Sequence, residues 1–129
     1  MAEIRRVGIV GAGQMGNGIA HVFALAGYDV ILTDIAQASL DKGIATIDRN
    51  IERQVTRGKV SADDKAAAMA RIQTTLKLAD LGSSDLIIEA ATERETVKQA
   101  IFEDLLPHLK PSTILTSNTS SISITRLAS

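Results

Sequence analysis

Cysteine is absent from the 129 residues of this chain. That excludes disulfides, thiolate nucleophiles and cysteine-ligated zinc, and it leaves the redox compartment open. Aromatics are almost missing too. Phe23, Tyr28 and Phe102 are the only three, too few for a base-stacking surface. Neither charge sign dominates, with 14 Lys and Arg against 15 Asp and Glu, so general nucleic-acid binding is not expected. The two histidines, His21 and His108, stand far apart without ligand spacing, which argues against a metal site. No apolar run approaches the roughly 20 residues of a membrane span.

What remains is a chain of 45% hydrophobic and 22% charged residues, the composition of a soluble globular protein with an aliphatic core. Its length suits one domain. Arg5 and Arg6 before an apolar stretch imitate a secretory leader, but Gln14, Asn17 and His21 interrupt that stretch. A folded strand and turn explain it better, and a cytoplasmic protein is expected.

Short apolar runs alternate with helical patterns. Val7, Ile9 and Val10 suggest a strand buried on both faces, within Ile4 to Val10. Gln14 to Ala26 reads as a helix with Met15, Ile19, Val22, Phe23 and Ala26 on its apolar side. Val30 to Leu32 is a second buried run. Leu40, Ile44, Ile47, Ile51 and Val55 recur three or four positions apart, which predicts one face of a helix from Gln37 to Arg57. Ser61 is a natural N-cap for a further short helix. Strands are expected at Ile72 to Leu76, at Leu86 to Glu89 and at Thr113 to Thr116. A helix from Arg94 to Leu106 should bury Val97, Ala100, Ile101 and Leu105. Such alternation predicts an α/β protein, a doubly wound parallel sheet covered on both faces.

Gly11-Ala12-Gly13-Gln14-Met15-Gly16 fits G-x-G-x-x-G. A tight turn without a ligand has the same pattern, but a strand before it and a helix after it favour a dinucleotide-binding turn. Gly11 would allow the turn, Gly13 would let a pyrophosphate approach, and Gly16 would let helix and strand pack closely. Ala12, Gln14 and Met15 complete the cradle at the helix N-terminus. Asp34 ends the second strand about 20 residues after the glycines, where an acid binds the adenosine ribose. No arginine follows it to receive a 2′-phosphate, which points to NAD over NADP. These residues alone leave FAD open, and an Asp here could also serve only as a cap. Ser117-Asn118-Thr119-Ser120-Ser121 is a hydroxyl-rich loop after a strand, equally readable as a helix entry capped by Ser121 or Ser123.

Taken together, the glycine turn, Asp34, Ile88-Glu89-Ala90-Ala91-Thr92-Glu93 and Ser117–Ser121 resemble the 3-hydroxyacyl-CoA dehydrogenases from Val7 onward. The resemblance implies a Rossmann NAD-binding domain over residues 1–129, cut before its last strands. It further implies that Glu93 and Lys98 approach the nicotinamide-side ribose and that Ser120, supported by Asn118, meets the substrate oxygen. Arg57 and Lys59 would face the CoA portion of an acyl-CoA substrate. The family's catalytic histidine, its orienting acid and a helical substrate domain are expected after Ser129. This chain alone is therefore expected to be inactive, and the whole enzyme to be a homo-oligomer. A stand-alone NAD-binding or sensing module and a dehydrogenase of free hydroxy acids are the alternatives.

Overall fold

The computed structural model describes residues 4–91 and 95–117, and of Glu95 only the backbone. The strands are β1 (Arg6–Val10), β2 (Asp29–Thr33), β3 (Ile72–Thr75), β4 (Leu86–Glu89) and β5 (Ile114–Ser117). The helices are α1 (Gln14–Leu25), α2 (Gln37–Thr56), α3 (Ala62–Arg71) and α4 (Glu95–Leu105). Short 3₁₀ turns at Leu78–Ser83 and Leu106–His108 complete the described chain. All strand pairs are parallel, in the order β3-β2-β1-β4-β5. This is the doubly wound Rossmann arrangement. The chain builds outward from β1 to β3 and then returns to the other side of β1, so the order reverses between β1 and β4. Open α/β sheets bind ligands beyond the carboxyl ends of their strands at such a switch point.

Alternate residues of each strand feed two cores. On one face, Val7, Ile9, Val30, Leu32 and Ile88 pack under Leu40, Ile47 and Ile51 of α2 and Ala20 and Ala24 of α1. On the other, Val10, Ile31, Ile87 and Leu115 pack with Leu81, Phe102 and Leu105. Each large apolar side chain so buried contributes about 1.5–3 kcal/mol. That burial on both faces is why the strands read as continuous apolar runs.

Two helix faces differ from expectation. In α1, Met15 and Val22 are exposed and Ala26 follows the helix, also exposed, while Gly16, Asn17, Ala20 and Ala24 are buried. Small residues let the helix axis come close to the sheet, and the bulkier Ile19 and Phe23 only flank that contact. In α4, Val97 and Ala100 face outward, and Lys98, Phe102 and Leu105 are buried. The expected strand at residues 72–76 ends at Thr75, leaving Leu76 half exposed. Arg71 fastens α3 to α1 by donating from a guanidinium nitrogen to the Ala24 carbonyl at 2.8 Å. Among the described residues, no helix is long and apolar enough to cross a membrane.

Candidate dinucleotide site

β1 ends in Val10, and the chain then turns sharply into α1. Gly11 has φ +106°, a region that costs any residue with a Cβ, and a Cβ here would lie 2.7 Å from the Ala91 Cα. At Gly16 a Cβ would fall 1.6 Å from the Gly11 carbonyl oxygen, so that glycine sets how tightly helix and turn meet. Gly13 is different. Its φ is −66°, and a Cβ would meet nothing within 4 Å. The protein's own packing does not require glycine at this position, whereas a phosphate lying against the backbone would.

The helix starts differ in capping: α3 has a side-chain cap, whereas α1 and α2 begin without one. The side chain of Ser61 accepts the Asp64 N–H at 3.0 Å, and Asp63 and Asp64 stand in the first turn of α3. That cap stabilises by about 1 kcal/mol. α1 has no such provision: its N-cap is Gly13, no side chain accepts its first N–H groups, and no acid stands in its first turn. Those donors and the positive helix end are suited to an anionic ligand.

Asp34 lies at the end of β2. Its Oδ2 accepts the Ala12 N–H at 2.9 Å; its Oδ1 accepts Ile35 N–H at 2.7 Å and Ala36 N–H at 3.3 Å. The residue thus fixes the turns after β1 and β2 as well as being a candidate ribose acceptor, since a carboxylate offers about four acceptor positions. It lines a crevice of about 720 Å³ together with Gly11 and Gly13, a volume in the range of small-molecule sites. Ile35, Leu76, Leu78, Val97 and Ile101 form its apolar wall, and Asp104 and His108 also line it. Among the described residues, no lysine or arginine lines it. The Ile35 side chain is 99% exposed, an arrangement suited to covering one face of an adenine ring.

Behind the crevice sits a buried polar group. Val10, Glu89 and Ser117 are register partners at the ends of β1, β4 and β5. Glu89 is fully buried. Its Oε2 accepts the Ala91 N–H at 2.5 Å and its Oε1 accepts the Ser117 hydroxyl at 3.0 Å. Lys98 is also fully buried, with its Nζ 3.7 Å from Glu89 Oε1. Breaking a buried ion pair from one side costs about 3–5 kcal/mol.

Of the residues expected from sequence, Gly11, Gly13 and Asp34 meet in the crevice, Ala12 is buried in the turn between the two glycines, and Gln14, Met15 and Gly16 continue into α1. Lys98 is not among the residues that line the crevice; it is buried against Glu89. Arg57 and Lys59 lie past the far end of α2, about 30 Å of helix from its start. Arg57 lines a separate groove of about 430 Å³ with Arg49, Arg53 and Lys65. Glu93, Asn118 and Ser120 lie outside the described residues. Neither described histidine sits with Glu89 and Lys98: His21 Nε2 is 2.8 Å from Gln54 Oε1 between α1 and α2, and His108 follows the far end of α4. No group of three or more His, Asp or Glu among the described residues could hold a metal.

Sequence reasoning gave no site role to Gly43, Glu89 or the apolar wall. A Cβ on Gly43 would lie 2.9 Å from the Ala12 carbonyl oxygen, so α2 leans directly on the glycine turn. A glycine inside a helix and a charge ending an apolar strand were the available signals.

A reversing parallel sheet, an uncapped helix over an open glycine turn and an acid at the end of β2 define a Rossmann-type dinucleotide-binding domain. Residues 6–129 match the family described as the 3-hydroxyacyl-CoA dehydrogenase NAD-binding domain. The chain belongs to that family, and its cofactor is NAD. It is 54% identical over 127 residues to a 3-hydroxybutyryl-CoA dehydrogenase of Bradyrhizobium diazoefficiens, covering 98% of this chain and 43% of that protein. It is 41% identical over 128 residues to the 3-hydroxyadipyl-CoA dehydrogenase of Escherichia coli, covering 99% of this chain and 27% of the relative. The crystal structure of (S)-3-hydroxybutyryl-CoA dehydrogenase from Ralstonia eutropha superposes with a TM-score of 0.90 at 45% identity, over 97% of this chain and 44% of that one. The chain thus spans less than half the length of these relatives.

Proposed function

We propose that this chain is the cofactor-binding part of an enzyme that moves a hydride between C3 of a short-chain 3-hydroxyacyl-CoA, such as 3-hydroxybutyryl-CoA, and NAD. The observation that carries it is the open space at Gly13 beneath the uncapped start of α1, beside Asp34 in a crevice that no described lysine or arginine lines. The names of the similar dehydrogenases support the substrate class.

NAD supplies the hydride acceptor at nicotinamide C4. The N–H groups of Gln14 to Gly16 bind its pyrophosphate, and Asp34 accepts from the adenosine ribose. Glu93 and Lys98 take the nicotinamide-side ribose. Ser120 donates to the substrate oxygen and Asn118 supports that loop, while Arg57 and Lys59 receive the CoA end. As hydride leaves C3 the hydroxyl proton needs a base; we assign it to a histidine, oriented by an acid, that the family resemblance places after Ser129. We further propose a homo-oligomeric enzyme of the cytoplasm.

Calorimetric titration with NAD, then of the NADH-loaded chain with acetoacetyl-CoA, tests the proposal. Saturable NAD binding followed by thioester binding tighter than that of free acetoacetate is expected. Failure to bind NAD would refute the cofactor role. Acetoacetate binding as tightly as its thioester would redirect the assignment to a free hydroxy acid.

A further inference from the structure

Glu89 carries a burden that its neighbours do not explain by packing alone. It is a fully buried acid at the end of β4, where Ile87 two residues earlier is core. One carboxylate reaches three elements: the Ala91 N–H beyond β4, the Ser117 hydroxyl on β5, and the Lys98 ammonium on α4. The Lys98 Nζ is buried and has no hydrogen-bond partner. An ammonium has three donors, and a buried polar group left unsatisfied is uncommon enough to indicate a function. At 3.7 Å the Glu89 oxygen is near enough to hold the charge in place yet too far to use its donors. Ser117, tied to the same oxygen, immediately precedes Asn118.

We propose that Glu89 is a positioning residue: it holds the Lys98 ammonium, with its donors free, for the nicotinamide-side ribose, and anchors Ser117 at the end of β5 to the same carboxylate. The inference rests on the assignment of Lys98 as a cofactor contact. The chemistry requires a carboxylate of this length. A glutamine would carry no charge for Lys98, and its amide NH2 would face either the Ala91 N–H or the Lys98 ammonium, both of which are donors only. An aspartate would fall short by about 1.5 Å, too short to serve β5 and α4 together.

The test is titration of the chain and its Glu89→Gln, Glu89→Asp and Lys98→Met variants with NAD and with ADP. ADP engages Asp34 and the glycine turn but lacks the nicotinamide ribose. Glu89→Gln is expected to weaken NAD roughly tenfold, the scale of one charge-assisted hydrogen bond, with ADP unchanged within about twofold. Glu89→Asp should fall between Glu89→Gln and the unaltered chain. Lys98→Met should copy the NAD-selective loss, and Glu89→Gln combined with it should lose no more than the worse single variant, because both act through one contact. Should Glu89→Gln fail to fold, Glu89→Asp and Lys98→Met carry the same comparison. Equal loss of ADP and NAD in the Glu89 variants would overturn the inference, since Ala91 also packs against Gly11 and a structural defect would reach both ligands. Additive losses in the double variant would overturn it as well. An unaltered NAD affinity in Lys98→Met would remove its premise while leaving the dinucleotide site intact. An unaltered chain that bound neither ligand would refute the site itself.

Discussion

Asp34 accepts the backbone N–H of Ala12 at 2.9 Å, so the carboxylate that ends β2 also clamps the turn that follows β1. Binding and stability are therefore joined in one side chain. Asp34→Ala should weaken NAD and also cost about 1–3 kcal/mol of stability, because the part-buried N–H of Ala12 loses its acceptor, whereas the exposed N–H groups of Ile35 and Ala36 can turn to water. Paired NAD titration and chemical denaturation would show both losses; a variant with full stability would mean that water replaces the carboxylate without penalty.

The unaltered chain should prefer NAD to NADP by about 1.5–3 kcal/mol, roughly ten- to a hundredfold. Asp34 and Asp104 line the crevice and, among the described residues, no lysine or arginine does, so a 2′-phosphate beside Asp34 meets like charge. Competitive titration with the two cofactors decides it, and equal affinity would refute the electrostatic account.

Gly13 and Gly16 should separate function from folding. Gly13→Val points its side chain into open space at an ordinary φ, so NAD binding should vanish while circular dichroism stays the same. Gly16→Ala places a Cβ 1.6 Å from the Gly11 carbonyl oxygen, so thermal stability should fall together with binding. A Gly13→Val chain that still bound NAD normally would show that no phosphate lies against this turn.

Two helix-interior glycines should respond oppositely to alanine. At Gly18 a Cβ meets nothing within 4 Å, and helix propensity should add about 0.5–1 kcal/mol of stability. At Gly43 the same propensity gain opposes a 2.9 Å contact with the Ala12 carbonyl oxygen. Overpacking against backbone costs about 1–3 kcal/mol, so Gly43→Ala should destabilise. Thermal melts of the two variants give the signs directly.

Acid should loosen the amino-terminal edge of the sheet first. The Lys110 ammonium beside Asp85, and the Arg5 and Arg6 N–H groups that its carboxylate accepts, hold Asp85 well below the ordinary carboxylate range. A pKa depressed by folding contributes stability that is complete above the unfolded value, about 3.9, and is lost as pH falls below it toward the folded value. Asp85→Asn should therefore flatten the stability profile below about pH 4 and change little of its shape near neutrality. An unchanged acid limb would assign that loss to other carboxylates.

NADH formation from 3-hydroxybutyryl-CoA by this 129-residue chain should stay near background. General acid–base assistance contributes about 10²–10⁴ in rate, and neither described histidine stands beside Lys98 and Glu89. Turnover comparable with that of a full-length relative would require the base to be sought within residues 1–129.

Much of this domain is written in one dimension. Strands buried on both faces must be apolar throughout, so Val7 to Val10, Val30 to Leu32 and Leu86 to Ile88 announce themselves, and each lies within a strand. Glycine spacing carries the turn because its constraints are local: a backbone angle at Gly11 and a helix–turn approach at Gly16. The acid at Asp34 follows from its place at a strand end. What tertiary structure alone decided is every contact between distant segments. α1 buries Ala20 and Ala24 in place of Met15 and Val22, because the sheet rewards close approach over side-chain bulk. Gly43 matters only because α2 crosses the glycine turn. Lys98, which a hydropathy pattern assigns to the surface, is buried because parallel pairing of β1, β4 and β5 puts the Glu89 carboxylate where α4 passes. Periodicity ranks residues by oiliness along one helix; it does not register a counter-charge that arrives from another strand.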